Sequence, residues 1–379
     1  MQRKIIPFIA EDFILKIIAA ENNGNIKNSP YFYALQTKNF HHYMKLVSYL
    51  NEGHDQLAFL VNDYVFDADS VHPEFPSSMN MFLNYWDEYF DTAVAVNKAI
   101  LEGRISVDKG KPVSEVELLS PVPFPAGCRD AYAFRKHVEA ARRNRGVPMI
   151  PEFDQYPIFY FTNHHSVQGA GEIVCMPDHL EKLDFELEVA IVISKYGKNI
   201  KAEEADAFIA GLMIMNDMSA RKLQMEEMLL NLGPAKGKDF STVVGPCLVT
   251  LDELESFETS PKENHVGKNW NLQMKCWVNG VQVSEGNVGD MDWTFAEIIE
   301  RCSYGATLYP GDIIGSGAAG TGCFLELNGT GKLNDPNYEE QWLKEGDVIE
   351  MEVEGLGKLS NTIVKDEDDF SIFGRKKNV

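Results

Sequence analysis

The sequence predicts an α+β fold dominated by β-structure, with a small N-terminal domain ahead of a larger one. Three observations carry this. Apolar runs with alternating or continuous patterning recur after about residue 121, as in LDFELEVAIVIS (183–194). The same half is punctuated by Gly and Pro and holds the hairpin signal Asn279-Gly280 within MKCWVNGVQVSEG. Stretches with helical spacing are few. At 379 residues the chain has room for two domains and a sizeable core.

In chain order, residues 1–43 show no clear period and have a polar middle, ENNGNIKNS. From Met44, KLVSYL, NEGHD and QLAFLVNDYVFDA read as strand, turn and strand. PSSMNMFLNYWDEYFDTAVAVNKAILEG (76–103) has a Ser cap and apolar residues at helical spacing, predicting one long amphipathic helix. Residues 104–120 read as a linker. Further helices are expected over 129–146 (RDAYAFRKHVEAARRNRG), 202–213 (AEEADAFIAGLM) and 294–303 (TFAEIIERCS), and a polar surface loop over 254–270. The expected divisions are 1–43, a small α+β domain over 44–115, and a larger domain over 116–379.

The balance of 35 Lys plus Arg against 57 Asp plus Glu gives a net charge of -22, which opposes general binding to nucleic acid or anionic membrane. Six scattered cysteines without a C-x-x-C pair read as reduced core residues, hence a cytoplasmic protein. MQRKIIPFIAEDF is a poor signal peptide because Glu11 and Asp12 interrupt its apolar run. Stretches such as FIAGLMIM fall far short of a membrane span.

Asp184, Glu186 and Glu188 occupy alternate positions of LDFELEVAIVIS, yet the run Ala190 to Ile193 is continuously apolar. One reading is the solvent side of an edge strand. The other is a shared divalent cation, since three like charges within about 7 Å repel and a hard cation relieves them. In IMNDMSARKLQ, Asp217 appears where a buried strand ends, and Arg221 and Gln224 would share one face of a following helix. A helix cap plus an exposed Arg is the plainer alternative there. Gly233, Pro234 and Gly237 form a tight loop presenting Lys238, as an anion clamp or electrophile; its spacing is not that of a phosphate-cradling P-loop. Gly315, Gly317 and Gly320 match G-x-G-x-x-G, but CFLEL after them reads as a strand, which excludes a dinucleotide site. Glu326 between Leu325 and Leu327 is unusual for a core residue. Asp130, Tyr132 and His137 fall within two turns of the expected helix; a surface histidine is the ordinary case, whereas pairing with Glu326 would make His137 an oriented general base.

Taken together, LDFELEVAIVIS, IMNDMSARKLQ, LGPAKGKDF, LYPGDIIGSGAAGTG and ELNGTG, in this order, resemble the fumarylacetoacetate hydrolase family from about residue 121 to the C-terminus. The resemblance implies a mixed β-sandwich roll preceded by a small N-terminal domain. It implies Mg2+, or Ca2+ or Mn2+, on Asp130, Glu186, Glu188 and Asp217, with Asp184 behind them. It also implies a water-activating pair His137 and Glu326, substrate-polarising Arg221, Gln224 and Lys238, and ring hydroxyls of Tyr132 and Tyr160 beside the substrate. The activity implied is metal-dependent hydrolysis of a carbon-carbon bond in a β-diketone or acylpyruvate-type acid, as in aromatic amino acid catabolism. The alternative is a keto-acid decarboxylase or isomerase on the same scaffold. A homodimer is implied as well. Ala318 stands where fumarylacetoacetase has Thr, which puts fumarylacetoacetate itself in question. MKLVSYL resembles the usual start of family members, making residues 1–43 an extension or a start placed too far upstream.

Overall fold

The computed structural model describes residues 44–377. Residues 1–43, expected to be an extension, lie outside them. Strands β1 (Lys45–Asn51), β2 (His54–Val61) and β3 (Tyr64–Asp67) form an antiparallel meander. The expected second strand is therefore two, divided by Asn62 and Asp63 at φ 48° and 65°, the backbone of a two-residue type I′ turn.

The helical pattern over 76–103 yields two helices, α1 (Met79–Asn84) and α2 (Trp86–Leu101). The Asn84 side-chain amide donates to the Asn80 carbonyl at 2.8 Å, and Tyr85 leaves helical backbone at ψ 31°. A polar side chain that bonds nearby backbone competes with helix continuation.

The segment 129–146 is not one helix. It gives β4 (Gly127–Ala131) and then α3 (Arg135–Asn144), followed by β5 (Phe159–Thr162) and β6 (Gly171–Cys175). Next come β7 (Leu187–Ile193), β8 (Ile209–Asp217), α4 (Arg221–Met228) and β9 (Thr242–Thr250). The helix expected over 202–213 is only a single turn, Ala202–Ala205, because the apolar run after it is claimed by sheet pairing on both sides. The hairpin β10 (Gln273–Val278) and β11 (Val281–Asn287) turns at Asn279-Gly280 as expected, with φ 51° and 76°. Helix α5 (Phe295–Ser303) opens on a Thr294/Glu297 capping box. Strand β12 (Asp312–Gly315), helix α6 (Phe324–Asn334), β13 (Val348–Val353) and β14 (Gly357–Lys365) complete the list.

Two mixed sheets result. The larger has the order β3-β2-β1-β9-β8-β7-β12-β4-β5; within it β12 and β4 are parallel, and this pairing captures 127–131 as strand. The smaller has the order β11-β10-β13-β14-β6. The sheets enclose one core, in which Val189, Ile191 and Ile214 join Met274, Met351 and Val353. The opposite face of the larger sheet packs Ala190, Val192 and Met213 with Phe82 and Trp86 of α1 and α2. Strand β7 is thus covered on both sides, which explains its continuous apolar run. The α+β, β-dominated expectation holds.

CFLEL forms the start of α6 rather than a strand. Two glycines inside α6 hide the helix from propensity, and one is required by contact: a Cβ on Gly329 would meet Asn144 Nδ2 of α3 at 2.5 Å. Gly329→Ala is therefore expected to destabilise the fold by about 1–2 kcal/mol through overpacking, although Gly to Ala ordinarily stabilises a helix. Urea unfolding measures this, and a raised midpoint would refute the close α3–α6 contact.

Candidate active site

Five carboxylates are buried where β4, β7 and β8 converge: Asp130, Asp184, Glu186, Glu188 and Asp217 are each no more than 6% exposed. The edge-strand reading of the acids fails, since Asp184, Glu186 and Glu188 are all buried. Oxygens of Asp130, Glu186, Glu188 and Asp217 lie within 4.8 Å of one another. Glu188 Oε1 and Asp217 Oδ1 are buried without a hydrogen-bond partner. Orphaned carboxylate oxygens of this kind carry a large desolvation cost. Four hard oxygen donors, three from strands β4, β7 and β8 and Glu186 from the residue just before β7, fit a hard divalent cation.

Hydrogen bonds orient the cage. The Gly317 N–H is shared between Asp130 Oδ1 and Glu188 Oε2, both at 3.0 Å. Gly317 has φ 80°, and a Cβ there would meet the Ala131 carbonyl at 2.7 Å, so only glycine brings this amide in. The Tyr160 hydroxyl donates to Asp217 Oδ2; Tyr160 faces Asp130 across the β4–β5 ladder. Lys238 Nζ lies 2.5 Å from Glu186 Oε2 and 2.6 Å from Asp217 Oδ2.

Burial, reinforced by Asp217, pushes Asp130 up to about 7. Burial and Asp130 push Glu188 well above the carboxylate range, and burial raises Asp217 against the pull of Lys238. Glu186 goes the other way. Its burial is outweighed by Lys238 and Arg221, which hold it at about 2.

Asp184 stands outside the cage, as expected. It accepts from Arg221 Nε at 2.8 Å and from the Phe324 and Leu325 amides at 2.7 and 2.9 Å. Those amides open α6, where unpaired donors attract an anion. G-x-G-x-x-G is therefore followed by a helix after all, contrary to expectation. Its free amides nonetheless serve the protein's own carboxylates, Asp184 at the helix start and Asp130 and Glu188 at Gly317.

His137 on α3 and Glu326 in the first turn of α6 are both buried, with Nδ1 2.7 Å from Oε2. The Thr321 amide donates to Glu326 Oε1 at 2.9 Å, and Asn144 Nδ2 to the Glu326 carbonyl at 2.9 Å. The Tyr132 ring meets the His137 ring edge-on at 5.8 Å. Arg221 Nη2 bonds Glu186 at 2.7 Å and Nη1 bonds Gln224 at 2.9 Å. All eleven site residues expected from sequence are thus gathered around one locus. Asp130 and Tyr132 reach it from β4 and the turn after it rather than from a helix. Sequence reasoning missed Asn216, whose Oδ1 fixes the Glu186 amide at 3.0 Å, and Cys323, whose sulfur lies within 4.8 Å of a His137 nitrogen and a Glu186 oxygen. A cysteine directly before FLEL was the available signal.

A family profile described as fumarylacetoacetate (FAA) hydrolase C-terminal matches residues 128–364. The chain belongs to the fumarylacetoacetate hydrolase family. Its relatives in this family include the mitochondrial oxaloacetate tautomerase Fahd2a of Rattus norvegicus, 30% identical over 335 residues, spanning 85% of this chain and 92% of the relative. The fumarylacetoacetase of Oryza sativa subsp. japonica is 30% identical over 331 residues, spanning 72% and 76%. A structure of maleylpyruvate hydrolase from Sphingobium sp. SYK-6 with manganese (II) ion and pyruvate aligns with TM-score 0.60 at 19% identity, over 86% of this chain and 100% of that one. A probable 2-hydroxyhepta-2,4-diene-1,7-dioate isomerase from Mycobacterium abscessus aligns with TM-score 0.59 at 23% identity, over 86% and 100%. At these identities the structural likeness shows the fold alone. The family holds hydrolases, isomerases and tautomerases.

Asp217→Asn keeps the shape of the side chain and removes one cage charge. Mg2+ affinity measured by calorimetry is expected to fall at least about tenfold. Unchanged affinity would exclude Asp217 from the ligand set.

Proposed function

We propose that this family member is a divalent-metal-dependent hydrolase that cleaves a carbon-carbon bond in a β-diketone or acylpyruvate-type acid. The observation that carries this reading is the buried His137–Glu326 pair beside the four-carboxylate cage. A decarboxylase needs chiefly enolate stabilisation, whereas a hydrolase also needs a base to activate water.

Asp130, Glu186, Glu188 and Asp217 would hold Mg2+, Mn2+ or Ca2+, which supplies Lewis-acid polarisation of a chelated β-dicarbonyl. Glu326 accepts a hydrogen bond from the Nδ1–H of His137, which leaves the Nε2 lone pair as the base. Nε2 takes a proton from water, and the hydroxide adds to one carbonyl carbon. The carbon-carbon bond then breaks with its electron pair passing to the second fragment as an enolate. Protonation of the enolate gives a ketone or keto acid beside a carboxylic acid. Lys238 and Gln224 stabilise the developing oxyanions. Arg221 adds its charge while holding Gln224 and Glu186 in place. Tyr132 and Tyr160 line the substrate side of the cage.

The basic end of α3 supports an acidic substrate. Arg142, Arg143 and Arg145 form no ion pair among the described residues and bond the neutral Pro148 carbonyl, Thr330 hydroxyl and Ala141 carbonyl. Arg145 and Arg142 also lie within electrostatic reach of Tyr132. In a chain of net charge -22, three guanidiniums without an ion pair among the described residues support the approach of an anion here. A fumarylacetoacetate-like acid, and with it a place in aromatic amino acid catabolism, fits this mouth.

A homodimer is supported by the exposed apolar run Met225, Met228, Leu229, Leu230 and Leu232. No helix among the described residues is long and apolar enough to cross a membrane, and the six cysteines are free and buried. These features support a cytoplasmic location, although relatives are named as mitochondrial.

A second reading, an oxaloacetate tautomerase-like isomerase, is favoured by the names of relatives at 30% identity. Loss of enol ultraviolet absorbance across a panel of β-dicarbonyl acids, with Mg2+ and with a chelator, separates the two. Hydrolysis gives two shorter products, whereas isomerisation leaves the carbon skeleton intact. His137→Ala is expected to lower turnover by about 10²–10⁴-fold with metal affinity retained. Full hydrolysis in that variant would remove His137 from the role of base.

A further inference from the structure

We propose that His137 and Cys323, together with Glu186 at the edge of the carboxylate cage, form a second metal site that selects a thiophilic divalent cation such as Zn2+ or Cd2+. One nitrogen of His137, Cys323 Sγ and one Glu186 oxygen all lie within 4.8 Å of one another, and all three residues are buried. Tetrahedral zinc with bond lengths of about 2.0–2.3 Å places its donors roughly 3.3–3.8 Å apart. Shifts of about an ångström at the side-chain ends bring these three to that spacing.

The donor sets differ in chemical type. The cage offers oxygens alone and suits a hard ion, whereas imidazole and thiolate prefer a softer one. Glu326 strengthens the case. A histidine that ligates zinc commonly gives its other N–H to a carboxylate, which fixes the ring and raises its basicity. His137 Nδ1 already lies 2.7 Å from Glu326 Oε2, so Nε2 is the nitrogen left for a metal. Glu186 is a shared donor, since Arg221 and Lys238 already bond its two oxygens. The histidine and cysteine therefore carry most of the affinity. A water molecule completes the tetrahedron.

A cation bound here takes the lone pair that Nε2 would use on water. That consequence rests on His137 acting as the base; the site itself does not. The two are separated by an assay without substrate. The full chain, saturated with Mg2+ to fill the cage, is titrated with Cd2+ while thiolate-to-cadmium charge-transfer absorbance is followed. The expected result is one equivalent of absorbing Cd2+ per chain, loss of the band in Cys323→Ser, and at least tenfold weaker binding in His137→Gln. Cadmium on carboxylates alone gives no such band, and Mg2+ affinity reports whether each variant is folded. If Cys323→Ser does not fold, the His137→Gln titration decides alone. Absence of the band in the wild-type chain, an unchanged band in Cys323→Ser, or an unchanged midpoint in His137→Gln overturns the proposal.

Discussion

Burial of five carboxylates at one point is the constraint on which the rest of this structure depends. Among the described residues, only Arg221 and Lys238 form ion pairs with them. Uncompensated, ionised carboxylates in a protein interior protonate or unfold it. The chain answers with fixed donors: the shared Gly317 amide, the two amides that open α6, and the Tyr160 hydroxyl. Two carboxylate oxygens still lack any partner, and a hard cation is the remaining compensation of the right type.

The sheet makes this concentration of charge affordable in geometric terms. Strand β7 carries Glu188 on the face whose next two side chains, Ala190 and Val192, pack into the core under α1 and α2. Asp217 comes from the end of β8, the antiparallel neighbour of β7. Asp130 comes from β4, beyond β12. Glu188, Asp217 and Asp130 are thereby held by ladders whose register cannot slip by one residue without exchanging buried faces.

Much of the site was legible because its motifs are local. Glu186 and Glu188 stand two residues apart at the entry to β7, Arg221 and Gln224 share one helical turn, and Lys238 follows a Gly-rich loop. Elements whose state is decided by distant pairing were not legible. Residues 129–131, at the start of the helix expected over 129–146, belong instead to strand β4, because β12 runs parallel beside it. FLELNGTG looked extended because two glycines lower its helix propensity, yet contact with Asn144 and Tyr338 calls for those glycines. The break at Tyr85 came from a side-chain hydrogen bond that periodicity does not register. Cys323 was read as one more core thiol, because nothing in its neighbours along the chain reveals that α3 brings His137 to it.

Helix α6 has a double attachment. Its first amides grip Asp184, which holds Arg221 and through it Glu186 of the cage. One residue further on, Glu326 holds His137. The carboxylate cage and the His137–Glu326 pair thus hang from a single turn of α6. An ion that tightens one attachment and a ligand that tightens the other act on the same body, so their binding is thermodynamically linked. Whatever factor the ion contributes to ligand affinity, the ligand must return to the ion.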